Sequence, residues 1–132
     1  MLVDELLASW LILLARVCLA GVYLVSGVHK GVWYQKAVEE FQMARMPAIS
    51  FFLPLTIALH LSGGVALVTG VYAREAALAL ALFTVLATLK VHCFWRMSGQ
   101  QRLDRSRVAM GNLAVIGGLI LLAAVGPGQL VW

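Results

Sequence analysis

Apolar residues fall along this chain in four long runs, not in alternating stripes. The runs extend from about Leu6 to Val28, Ala48 to Tyr72, Glu75 to Phe94 and Val108 to Val125. A helix needs about 20 apolar residues to cross the hydrocarbon core of a bilayer, and each run is of that order. The pattern predicts four transmembrane helices. Pro47 stands where a start signal belongs, and Pro54, in the second turn of the second run, is expected to bend it. Only a few residues around Ala73-Arg74 separate the second and third runs, which predicts a tight antiparallel hairpin. Gly126-Pro127-Gly128 closes the fourth. The connector from Gly31 to Met46 has its own period. Trp33, Ala37, Phe41 and Ala44 recur at helical spacing with Lys36, Glu39 and Glu40 between them, as in a short amphipathic helix lying in the membrane interface. The expected fold is thus an all-α four-transmembrane-helix bundle with an interfacial helix between its first and second spans.

Composition strengthens this picture. Hydrophobic residues make up 62% of the chain and charged ones 12%, about half the ~25% usual in soluble domains. A soluble domain of 132 residues could not hide so much apolar surface, so residues 1–132 are expected to form one transmembrane domain without a catalytic ectodomain. Asp4 and Glu5 open the chain where a signal peptide would place Lys or Arg, so the first span is expected to be retained. Cys18 and Cys93 lie in different runs with no C-x-x-C spacing. They read as small buried apolar residues, which argues against a thiol relay.

The net charge of +4 is a topology signal. Lys30, Lys36, Arg45, Arg96, Arg102, Arg105 and Arg107 fall in the first and third connectors, whereas the other side holds only Arg74. The connectors 29–47 and 95–107 are therefore expected in the cytoplasm, and both termini outside. Trp33, Tyr34 and Trp95 mark the inner interface; Trp10, Tyr72 and Trp132 mark the outer one. The basic face suits anionic lipid, not nucleic acid.

Polar residues inside apolar spans are costly and often functional. Arg16 lies about ten residues into the first run and His60 about nine into the second, so both are expected near the midplane. Toward the inner face, His29, Lys30, Lys90, His92 and Asn112 share roughly one level. The six acids, Asp4, Glu5, Glu39, Glu40, Glu75 and Asp104, all lie in termini, connectors or span ends. Arg16 therefore has no carboxylate at its depth, and three resolutions stay open. It bonds carbonyls and hydroxyls such as those of Ser26, Ser62 or Thr56, in which case leucine would be tolerated in its place. It meets a carboxylate of a partner subunit, or it binds acceptor oxygens of a ligand such as a quinone or lipid phosphate. Lys30 and Lys90 could simply snorkel to the interface; clustered with His29, His92 and Arg96 they could instead hold an anionic headgroup. The histidines lack H-x-x-x-H or E-x-x-H spacing, so no metal site is expected. No nucleophile–base pair and no phosphate-cradling loop are visible, so catalysis by this chain alone is not expected. Close helix approach is expected at Ser62, Gly63, Gly64 and Ala66, at Gly111, Ala114, Gly117 and Gly118, and at Ala20, Gly21, Ser26 and Gly27.

Several of these segments, in this order, resemble the DoxX family. They are Arg16 followed by Ser26-Gly27-Val28-His29-Lys30, then His60-Leu61-Ser62-Gly63-Gly64 through Thr69-Gly70-Val71-Tyr72-Ala73-Arg74, then Gly111-Asn112-Leu113-Ala114-Val115-Ile116-Gly117-Gly118-Leu119 and Gly126-Pro127-Gly128. The similarity spans nearly the whole chain, and it implies a bacterial inner-membrane protein. It also implies a glutamate where His60 stands, which would have given Arg16 an acid partner, and an aspartate after Gly126-Pro127-Gly128, where Gln129-Leu130-Val131-Trp132 follows. Relatives are linked to quinone-coupled sulfur oxidation and to oxidative-stress membrane complexes. The expected role is an accessory subunit of a larger membrane redox complex, packed against partner helices or a second copy and organising quinone or bound phospholipid. The alternative is a free-standing quinone-binding protein. A small transporter is disfavoured, because the spans hold no chain of acids to relay protons.

Overall fold

A computed structural model of the chain describes residues 2–90 and 98–132. Among the described residues there are five helices and no strand: α1 (Leu2–Val32), α2 (Tyr34–Met43), α3 (Ile49–Thr69), α4 (Ala73–Lys90) and α5 (Gly99–Val125). Three of them, α1, α3 and α5, are long and apolar enough to cross a membrane. The 18 residues of α4 are apolar in the middle but carry Arg74, Glu75 and Lys90 at the ends.

Helix α1 continues past His29-Lys30, where the first span was expected to stop. Nothing there breaks a helix, and Gly31 alone does not offset the hydrogen bonds gained. Likewise α5 begins at Gly99, so Arg102, Asp104, Arg105 and Arg107 ride on a helical extension of the fourth span instead of a loop. The amphipathic reading of the first connector fits α2: Ala37 and Phe41 are buried and Lys36 and Glu39 exposed, while Trp33 lies exposed just before the helix and makes no side-chain capping bond.

The long helices run antiparallel in sequence. α1 packs chiefly on α3, α3 on α4, and α4 on α5. Their shared core joins Ala20 and Tyr23 to Leu67, Ala77, Leu80, Leu119 and Leu122. A smaller cluster beneath α2 joins Ala37 and Phe41 to Leu53. Around this narrow core, large apolar side chains face outward, among them Leu14, Leu82, Leu113 and Leu121, each at least 60% exposed. Such a surface suits lipid as its solvent. Cys18, expected inside, faces outward on α1; Cys93 lies outside the described residues.

Small residues set the helix spacing where α1, α3 and α4 meet. A Cβ on Gly64 would stand 2.6 Å from Leu24, one on Gly27 2.9 Å from Leu61, and one on Gly63 2.9 Å from Leu80. Gly21, Gly111 and Gly117 do not act in this way, for nothing lies within 4 Å of where their Cβ would be. The hairpin between α3 and α4 turns at Gly70, whose φ of 83° only glycine adopts without strain and whose N–H bonds the Ala66 carbonyl at 2.8 Å.

The bundle has two unlike ends. Lys30, Arg45, Lys90 and the charged start of α5 gather at one, called here the basic end. The Gly70 turn and the segment Gly126–Trp132 lie at the other.

Candidate functional site

Near the basic end a cavity of about 530 Å³ opens between α2, α3 and α4. Phe52, Leu55, Thr56 and Leu59 supply its α3 wall, and Phe83, Leu86 and Ala87 its α4 wall. Phe41 and Met46 come from the α2 region, which folds over the cavity because its apolar stripe needs cover. Three charged groups join this apolar lining: Lys30 at the end of α1, Lys90 at the end of α4, and Glu40 on α2. Lys30 donates to the Ser26 hydroxyl at 2.6 Å, one turn back. Glu40 faces Arg105 of α5 at 3.5 Å, tying α2 to the start of the last helix. An apolar chamber edged by two ammonium groups is shaped for a molecule with an apolar body and an anionic or strongly accepting head.

His60 stands behind this cavity. It is 4% exposed, and neither ring nitrogen has a hydrogen-bond partner among the described residues. Two rings meet it edge-on, Tyr23 at 5.3 Å and Phe83 at 4.9 Å between centroids. Tyr23 belongs to a set of bonds that stitches α1, α4 and α5. Its phenol lies 2.5 Å from the Thr84 hydroxyl, which donates to the Leu80 carbonyl at 2.7 Å. Since Thr84 has one hydroxyl hydrogen, Tyr23 is the donor to it. Asn112 donates to Thr88 at 3.0 Å, and Thr88 to the Thr84 carbonyl at 2.7 Å. Both threonine hydroxyl protons thus end on carbonyls and the Tyr23 proton on Thr84, which makes this set an interhelical clasp.

Arg16 lies elsewhere. It is fully buried, and its guanidinium donates to four backbone carbonyls. Nε reaches Leu67 at 2.9 Å, Nη2 reaches Val68 at 2.9 Å, and Nη1 reaches Pro127 at 2.6 Å and Leu130 at 2.7 Å. Leu67 and Val68 belong to the last turn of α3, whose carbonyls have no intrahelical donor and carry the negative end of the helix dipole. The next carbonyl, Thr69, accepts the Trp132 N–H at 2.7 Å. The Trp132 ring lies 5.9 Å from the guanidinium carbon. Arg16 therefore fastens the segment after α5 across the end of α3. The hydroxyls of Ser26, Ser62 and Thr56 are not its partners; each bonds locally within its own helix.

Sequence spacing set Arg16 and His60 at one depth, and the structure separates them. Side chains lean toward the N-terminus of their own helix. On antiparallel α1 and α3 that lean adds to a difference in level: His60 packs beside Gly27, where a Cβ would stand 3.2 Å from its own, whereas Arg16 reaches the Leu67 carbonyl near the other end of α3. A glutamate at position 60 would not have met Arg16 in this fold. Of the cluster expected at the inner face, Lys30 and Lys90 do share one cavity. His29 instead stacks against Trp33 at 4.3 Å on the exposed surface, and Asn112 is spent on Thr88. His92 and Arg96 lie outside the described residues. Tyr23, Phe83 and Glu40 were not foreseen as site residues. Glu40 carried a signal in the polar stripe of α2, but an aromatic residue within an apolar span reads as any other apolar residue.

A family model described as DoxX matches residues 11–93. The chain is 32% identical over 117 residues to inner membrane protein YqjF of Escherichia coli (strain K12), covering 89% of this chain and 85% of that protein. It is 21% identical over 120 residues to inner membrane protein YphA of the same organism, covering 91% and 86%. No solved structure matches it.

Proposed function

The chain belongs to the DoxX family of membrane proteins, and on that premise we propose that it crosses the bacterial inner membrane four times and holds an amphiphilic molecule, phospholipid or quinone, in the cavity at its basic end. The observation that carries this reading is the cavity itself: an apolar chamber of about 530 Å³ with Lys30 and Lys90 at its edge. The fourth crossing is α4. Its 18 residues extend ~27 Å, close to the ~30 Å of the hydrocarbon core, with the charged residues at both ends within reach of the interfaces.

The second reading is an accessory subunit that packs against other subunits of a larger redox complex, or against a second copy. Gly111 and Gly117 favour it, because they turn outward on α5 with open space before them, where another helix could approach closely. One measurement addresses both. Purification in gentle detergent followed by native mass determination is expected to find a lipid-sized adduct of fixed mass that is lost in the double variant Lys30→Gln, Lys90→Gln. A second polypeptide in the same spectrum would support the accessory role. Wild-type and double variant alike free of adduct would remove the binding reading.

Orientation follows from the charge asymmetry, with the basic end in the cytoplasm. Cysteines placed as Pro47→Cys and Ser98→Cys, in a background without Cys18 and Cys93, are expected to resist an impermeant maleimide added outside intact cells. They should react once the membrane is opened. Labelling of either from outside would reverse the topology.

A further inference from the structure

Among the described residues, His60 alone has buried side-chain polar atoms without a hydrogen-bond partner. Arg16 is satisfied by carbonyls, and Tyr23, Thr84, Thr88 and Asn112 satisfy one another and the backbone. His60 is not: it is 4% exposed, and both Nδ1 and Nε2 are buried without a partner. An imidazole always has hydrogen-bonding needs at both nitrogens, and leaving them unmet in an apolar interior is costly. A phenylalanine would fill the same space among Tyr23 and Phe83 at no such cost.

The position of His60 gives the unmet need a direction. Thr56, one turn before it on α3, and Leu59, its neighbour, both line the cavity. Its side chain leans that way, because side chains lean toward the N-terminus of their helix. The Phe83 ring meets the imidazole edge-on and also lines the cavity, so it joins the two. Phe83 is only half-buried, on the cavity side of the helix.

We propose that His60 is the deep polar subsite of this cavity, reached when Phe83 turns aside, and that an imidazole nitrogen bonds a neutral oxygen, a hydroxyl or a carbonyl, carried on the apolar body of the occupant. This rests on the binding reading above and adds the chemistry of the occupant. The oxygen is neutral because the surroundings of His60 are apolar, and an ionised group would lose far more in desolvation than one hydrogen bond returns. The charged or strongly polar head stays with Lys30 and Lys90. Seven residues of α4 separate Lys90 from Phe83, which is ~10 Å along the helix. The occupant thus carries two polar points: a head, and an oxygen about 10 Å further along its apolar body.

The test uses the full-length protein in nanodiscs with three fatty acids as probes: stearate, stearate with a mid-chain hydroxyl, and stearate with a mid-chain ketone. At least one oxygenated probe is expected to bind about fivefold more tightly than plain stearate, the worth of one net hydrogen bond. It should also move the ring nitrogen resonances of His60 in ¹⁵N-histidine spectra, identified as the signals absent from His60→Phe. A preference for the hydroxyl probe points to an alcohol as the natural group, and a preference for the ketone probe to a carbonyl. His60→Phe should bind stearate as the wild type does and lose the preference. His60→Gln, whose amide keeps a donor and an acceptor, should retain part of it, and serves also if the phenylalanine variant folds poorly. Binding of all three probes within twofold, with the His60 resonances unmoved, would overturn the deep subsite and leave the cavity reading intact. Failure of even stearate to bind would overturn both.

Discussion

Replacing Arg16 with leucine is expected to leave the chain inserted in the membrane but to loosen the end of the bundle opposite its basic face. Insertion should survive because leucine partitions into a bilayer better than arginine. Stability should not. Four carbonyls, those of Leu67, Val68, Pro127 and Leu130, lose their donor at once. Each buried acceptor left unpaired costs about 1–3 kcal/mol. Relief of the desolvation of the guanidinium offsets part of this sum, and water reaching the freed segment offsets more. The net loss is expected at about 3 kcal/mol, read as an earlier midpoint in denaturant titration of the purified protein, with new protease sensitivity after Gly126. Arg16→Lys should fall between, since an ammonium lacks the planar fork that spans α3 and the segment after α5. The sequence alone suggested that leucine would be tolerated if Arg16 met only its own backbone. What alters that expectation is the number of acceptors tied to the one side chain and their place at an uncapped helix end. A leucine variant as stable as the wild type would reduce Arg16 to a space-filling role.

Gly64→Val should destabilise the bundle by a similar amount, through packing instead of polarity. Even a lone Cβ at this position would stand 2.6 Å from the Cγ and Cδ2 of Leu24, and 3.5 Å from the Ala20 carbonyl oxygen. Leu24 packs against the central core, so a branched side chain must displace it from that packing or push α1 and α3 apart. Overpacking of this kind costs about 3 kcal/mol, and here it strikes the most extensive contact between helices. In a bilayer that contact has no hydrophobic driving force to fall back on, since lipid tails solvate the separated helices as well as their neighbours do. Gly21→Val is the control. It lies one helix away in the same membrane setting, but no atom stands within 4 Å of where its Cβ would be. Equal unfolding midpoints for the two variants would mean that close approach at Gly64 does not hold the helices together.

The sequence by itself determined the class of this protein, because each signal behind it is local and periodic. Long apolar runs are what a bilayer requires, and they predicted the apolar character of α1, α3 and α5. The stripe of Ala37 and Phe41 predicted α2, and the short link after Gly70 predicted the α3–α4 hairpin. Resemblance in ordered motifs pointed to the family. Position along the spans also put Lys30 and Lys90 at one level, and both line the cavity.

Tertiary structure decided the rest, because it depends on rotation about helix axes and on the lean of side chains, which depth does not report. Arg16 and His60 read as equally deep, but the register of α1 on α3 sets His60 beside Gly27 and Arg16 beside Leu67, so one caps the end of α3 and the other lies near the cavity. Gly64 and Gly21 look alike in sequence, and only packing shows that one is a contact and the other an open face. The partners of Arg16 were unreadable for a further reason: they are backbone carbonyls, present at every residue and marked by none. They become a site only where the end of α3 leaves its last carbonyls without donors and the segment after α5 folds back over them.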